Sequence, residues 1–146
     1  MRYSIDVVDR RIYILSRQLV TMPPEVIEGW DLKIVQEDRL YRYRKTMGQN
    51  ELHLDVFGMQ SSPWGYIEDR QNHIENCIDI IYDQGNHRWE SRICGRRVNS
   101  VPAITRGPSI DQDLDTVEDL ARFLVGLASE ITGSGWDAIK SRSVLE

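Results

Sequence analysis

Cysteine is scarce: Cys77 and Cys94 are the only two. Two thiols cannot build the disulfide framework of a small secreted domain, and alone they cannot close a four-ligand structural zinc site. Long apolar runs are missing as well. The opening stretch MRYSIDVVDRRIYIL interrupts each apolar run with a charge, so no signal peptide is read there. No segment approaches the ~20 apolar residues of a membrane-spanning helix. Cytoplasm is therefore the expected compartment, with no membrane partner. Lysine is also rare, with Lys33, Lys45 and Lys140 set among 18 basic residues that are otherwise arginine. The net charge of −5 and pI near 5.2 argue against non-specific binding to nucleic acid.

Catalytic signatures are missing too. The chain has no G-x-S-x-G elbow, no phosphate-binding P-loop, no H-E-x-x-H and no G-x-G-x-x-G. His73-Ile74-Glu75 fits half of a zinc-deaminase signature, but the P-C-x-x-C half is absent and Cys94 is followed by Gly-Arg-Arg. Asp111, Asp113 and Asp115 resemble the start of a calcium loop. Thr116 stands where that loop needs glycine and Arg122 where it needs a bidentate glutamate. These carboxylates are better read as the acidic start of a helix. No cofactor and no metal-ligand set is implied.

What is present is the balance of a folded domain: 146 residues, 40% hydrophobic and 28% charged. A chain of that length buries roughly 70% of its unfolded surface as one domain. Residues 3–8 and 11–15 read as two strands joined at Asp9-Arg10, although 11–20 also fits a helical stripe; 31–36 reads as a short strand. Residues 39–59 form a hairpin turning at Gly48, with Tyr41 facing Val56, Tyr43 facing Leu54, and Arg42 paired with Asp55. Residues 74–98 form a second hairpin turning at Gly85-Asn86. In that register Tyr82 meets Trp89, Ile78 meets Ile93 and Cys77 meets Cys94. The other face pairs Asp83 with Arg88, Asp79 with Arg92, and Glu75 with Arg96. The two cysteines would then stand about 4.5 Å apart at their Cα atoms, close enough for a disulfide, though two reduced thiols are the plainer reading. Residues 60–73 and 99–114 read as long connections.

Val117, Leu120, Leu124, Leu127 and Ile131 define an amphipathic helix over 115–132, capped by Asp115 or Thr116 and ended by Gly133. Gly126 inside it hints at close packing. The expected fold is α+β: an antiparallel sheet of about four to seven strands with this C-terminal helix packed on it.

Three functional readings compete. The leading one is a non-enzymatic protein-binding domain, of inhibitor, immunity-protein, chaperone or adaptor type. Trp64 and Tyr66 in the 60–73 connection, with Trp30 and Trp136, are its candidate contact residues, since exposed Trp, Tyr and Arg are enriched at binding hot spots. The plainer reading makes all four core. The second is a phosphate, nucleotide or RNA binder using hairpin arginines, with Arg42, Arg44 and Arg97 as its candidates; a salt-bridged solvated face is the plainer reading of them. The third is a small enzyme around His53 and Asp55, which share a strand face about 6.5–7 Å apart. No nucleophile accompanies them.

Overall fold

A computed structural model describes residues 4–8, 11–15, 23–35, 40–56, 63–72, 76–83, 86, 88–98, 101–112 and 114–141. The first two strands, β1 (Ser4–Val8) and β2 (Arg11–Leu15), form a separate antiparallel hairpin in which Val8 meets Arg11, so the strand reading of 11–15 holds. Seven further strands make one sheet: β3 (Asp31–Val35), β4 (Leu40–Met47), β5 (Asn50–Val56), β6 (Trp64–Asp69), β7 (Cys77–Asp83), β8 (Arg88–Val98) and β9 (Val101–Arg106). Each pairs antiparallel with the next in sequence, so the sheet is a plain meander. The helix α1 (Val117–Ser141) follows and packs on β4, β5 and β6. The fold is α+β. Among the described residues no helix is long and apolar enough to cross a membrane.

Both hairpin registers agree with the side-chain alternation. Tyr41 faces Val56 and Tyr43 faces Leu54 across β4 and β5. Tyr82 faces Trp89, Ile78 faces Ile93, Asp79 faces Arg92 and Asp83 faces Arg88 across β7 and β8. The Glu75–Arg96 pairing and Gly85 of the turn lie outside the described residues. Cys77 stands opposite Cys94 as expected, and its thiol lies 3.9 Å from Asp79 Oδ1. Gly48 turns with φ of 63°, the left-handed value for which glycine is suited.

Two expectations need correction. The 60–73 segment holds a strand: Trp64–Asp69 is β6, a central strand between β5 and β7. Gly65 and Pro63 suggested a turn, but Trp64, Tyr66 and Glu68 alternate with Gly65, Ile67 and Asp69 in a clean period of two. Likewise the 99–114 segment contains β9, on the sheet edge.

One face of the sheet makes the core. Tyr43, Leu52, Leu54, Val56, Ile67, Ile78, Ile80, Trp89 and Ile93 are all buried. Val117, Leu120, Leu124, Leu127, Ala128 and Ile131 of α1 close over them. The chain after β9 folds back: Gly107 N–H donates to the Ser91 carbonyl at 2.7 Å, and Ile110 and Leu114 enter the core. The cap of α1 is Thr116 in a reciprocal box with Asp119. The Asp119 N–H donates to Thr116 Oγ1 at 3.1 Å, and the Thr116 N–H donates to Asp119 Oδ2 at 3.3 Å.

The helix also outruns its expected end. Gly133 is helical, and the break comes at Gly135 (φ 81°, ψ 165°). Beyond it Ile139 is fully buried, Trp136 Nε1 donates to Asn50 Oδ1 at 3.3 Å, and Lys140 Nζ donates to Asn76 Oδ1 at 2.5 Å. The tail is thereby tied to the start of β5 and to the β6–β7 loop. In that loop Asp69 accepts from the backbone N–H of Gln71 at 3.0 Å and from Asn76 Nδ2 at 3.1 Å. Burial would raise the pKa of Asp69, but these hydrogen bonds outweigh it and hold the carboxyl below its ordinary value.

Gly126 overturns the close-packing hint. It is exposed, and a Cβ there would meet nothing within 4 Å. Gly126→Ala should therefore stabilise the fold by up to ~1 kcal/mol. Leu124→Ala, in the buried stripe, should cost about 2–5 kcal/mol. Urea unfolding of the two variants checks both signs.

Candidate functional site

The pleat that sends Leu52, Leu54 and Ile67 toward the helix sends their neighbours to the opposite face. There the register sets three rows across the strands. Arg42, Asp55 and Trp64 make one row; Arg44, His53, Tyr66, Asp79 and Arg92 make the next; Thr46, Glu51, Glu68, Cys77 and Cys94 make the third. A face this dense in ionisable and aromatic groups is unlike a simple solvated face, because two of its members, His53 and Asp79, are only 7% and 5% exposed.

His53 is the centre. Its ring stacks on Tyr66 with centroids 4.0 Å apart and planes 7° from parallel, and Tyr66 in turn lies against Trp64 at 4.9 Å. His53 Nε2 sits 3.1 Å from Glu51 Oε1 and 3.1 Å from Glu68 Oε1. Burial first, and the Arg44 guanidinium second, hold the imidazole down to about 4. The ring is therefore neutral near pH 7. The Tyr66 hydroxyl titrates well above its ordinary value, through burial and then the Glu68 carboxylate.

A neutral imidazole carries one proton. On Nε2, that proton serves the two carboxylates and leaves Nδ1 a bare lone pair. On Nδ1, the Nε2 lone pair faces both carboxylates. Among the described residues Nδ1 has no hydrogen-bond partner. Glu51 and Glu68 are also directly opposite in register, an arrangement of like charges that a sheet disfavours. Glu51, His53 and Glu68 each offer one ligand atom, and the three atoms lie within 4.8 Å of one another. These are the residues that could hold a metal ion.

The expected His53–Asp55 dyad does not form. Asp55 receives Arg44 Nη1 at 2.8 Å, while His53 turns to Glu51 and Glu68. The same contact corrects the expected Arg42–Asp55 pair. Arg42 stands opposite Asp55 in register but is exposed, and the longer diagonal reach from Arg44 wins. Arg92 and Arg88 reach Glu90 at 3.5 and 3.8 Å.

The remaining candidates fall apart spatially. Trp64 and Tyr66 are half-buried on this face. Trp30 and Trp136 are half-buried against the hydrophobic core, so they do not join Trp64 and Tyr66 in the rows on the other face. Arg97 lies in β8 with its side chain outside the described residues; His73, Glu75, His87 and Asp113 fall outside the described residues altogether. Glu51 and Glu68 were missed in the sequence because their meeting depends on the β5–β6 pairing. The signal available was the alternation of 64–69, which makes that segment a strand.

Between about pH 6.5 and 4, the unfolded chain protonates His53 while the folded protein resists it. Stability should therefore be highest above pH 6.5 and fall as pH drops through this window. The loss is about 2 kcal/mol after allowance for screening and for the two carboxylates, which oppose the effect. His53→Gln should remove that part of the slope in urea-unfolding curves; an unchanged slope would refute the assignment.

No protein-family model matches the chain, no curated protein matches it, and no solved structure matches it.

Proposed function

We propose that this domain is a non-enzymatic protein-binding module, of inhibitor, immunity-protein, chaperone or adaptor type, and that it receives its partner on the sheet face turned away from α1. The observation that carries this reading is the half-exposed Trp64–Tyr66 pair, held on a central strand with His53 stacked beneath it. A strand fixes side chains more rigidly than a loop, so less entropy is lost when a partner orders them. The exposed Arg42 and half-buried Arg44 flank the pair, giving the Trp, Tyr and Arg mixture enriched at hot spots. The net charge of −5 favours faster encounter with a basic partner.

The alternatives have less support. A phosphate, nucleotide or RNA site would call on Arg42, Arg44 and Arg97, but Arg44 is already engaged by Asp55. A hydrolytic or acid–base enzyme around His53 and Asp55 lacks the dyad, since Asp55 belongs to Arg44.

The test is a paired substitution on the exposed side of the patch, Trp64→Ala with Arg42→Glu. A tagged parent chain should capture a stoichiometric partner from its own cell. The double variant should bind that purified partner at least ~30-fold more weakly, as the loss of one hot-spot residue implies, with its Tm within a few degrees of the parent. Binding at parental affinity would refute this surface.

A further inference from the structure

We propose that Glu51, His53 and Glu68 form a binding site for a single divalent transition-metal ion, with zinc the best match. The argument starts from charge. Two carboxylates on adjacent strands stand directly opposite each other, where like charges repel, and both aim an oxygen at one nitrogen. That nitrogen brings at most one proton to the two oxygens. The cluster therefore has more acceptors than protons, and a cation between the three atoms satisfies them together.

The two nitrogen–oxygen separations suit the ion, and the two glutamate oxygens lie within 4.8 Å of each other. Ligand atoms about 2.1 Å from one zinc ion stand roughly 3.0–3.4 Å apart at octahedral-cis or tetrahedral angles. His53 Nε2 is 3.1 Å from each glutamate oxygen. One nitrogen and two carboxylate oxygens form a borderline-hard donor set. It suits Zn²⁺, Co²⁺ or Mn²⁺ better than the thiol-seeking Cu⁺, and the imidazole disfavours Ca²⁺ and Mg²⁺. The site is also prepared and reachable. Tyr66 clamps the imidazole plane, the His53 side chain is 91% buried by difference from its 9% exposure, and the glutamate side chains remain 29% exposed, giving solvent a way in. Three protein ligands leave at least one coordination position for water or for a side chain of a bound partner.

This site is independent of the protein-binding proposal, and its test needs no partner. Tag-free, metal-stripped protein is titrated with Zn²⁺ by calorimetry, and with Co²⁺ by visible absorption. The expected result is one equivalent of Zn²⁺ bound at micromolar affinity or tighter. His53→Gln and Glu68→Gln should each weaken it at least ~10-fold, the size expected for a lost ligand or its support. Zinc should also raise the Tm of the parent and not of those variants. If Glu68→Gln does not fold, Glu51→Gln serves in its place. No binding below about 100 μM in the parent, or equal binding in parent and variants, would overturn the proposal. So would binding lost in Cys77→Ser but kept in His53→Gln, because that would put the metal on the thiols.

Discussion

Leu124 rests on bare backbone at Gly65. A Cβ on that glycine would lie 2.9 Å from Leu124 Cδ1, so a larger residue there would have to push the fully buried Leu124 side chain aside over the centre of the sheet. The contact also determines the opposite face. In a pleated strand, neighbours of an inward residue point outward. With Gly65 under the helix, Trp64 and Tyr66 must emerge on the other side, and with Leu52 and Leu54 inward, Glu51, His53 and Asp55 must do the same. A one-residue slip of β6 would push Trp64 or Tyr66 against Leu124 and break up the stacked cluster. Core packing and site assembly are two consequences of a single register.

That coupling makes the polar face costly to alter piecemeal. His53 is stacked by Tyr66, faced by two glutamates and influenced by Arg44, which is itself bound to Asp55. Groups that share partners in this way do not respond additively to substitution. The buried imidazole and the opposed carboxylates are stability costs that the apolar face has to offset. Such local conflicts concentrate at functional sites, which is why this face carries the functional reading.

Much of the architecture was legible in local pattern. Alternation of apolar and charged residues set the register of both hairpins, because a wrong register would have mixed charges into the apolar face. The stripe from Val117 to Ile131 announced the helix. Three things were hidden for physical reasons. Proline and glycine around Trp64 suggested a turn, yet Gly65 serves a close contact with a helix some sixty residues later in the chain, and no local rule reports that. Gly133 looked like the end of the helix, and tertiary anchoring of Trp136, Ile139 and Lys140 carries the helical chain past it to Gly135. The partners of His53 could not be read from its own strand alone, since Glu68 arrives from β6 and displaces the nearer-looking Asp55.

The most direct test of this account is a nuclear Overhauser spectrum of isotope-labelled protein, read at Leu124 and at the ring of His53. The account predicts cross-peaks from the Leu124 methyl groups to the Gly65 α-protons, together with cross-peaks between the His53 and Tyr66 rings. Cross-peaks from the Leu124 methyl groups to the ring of Trp64 or Tyr66 would contradict it, because the aromatic pair would then lie under the helix and the cluster on the far face could not exist.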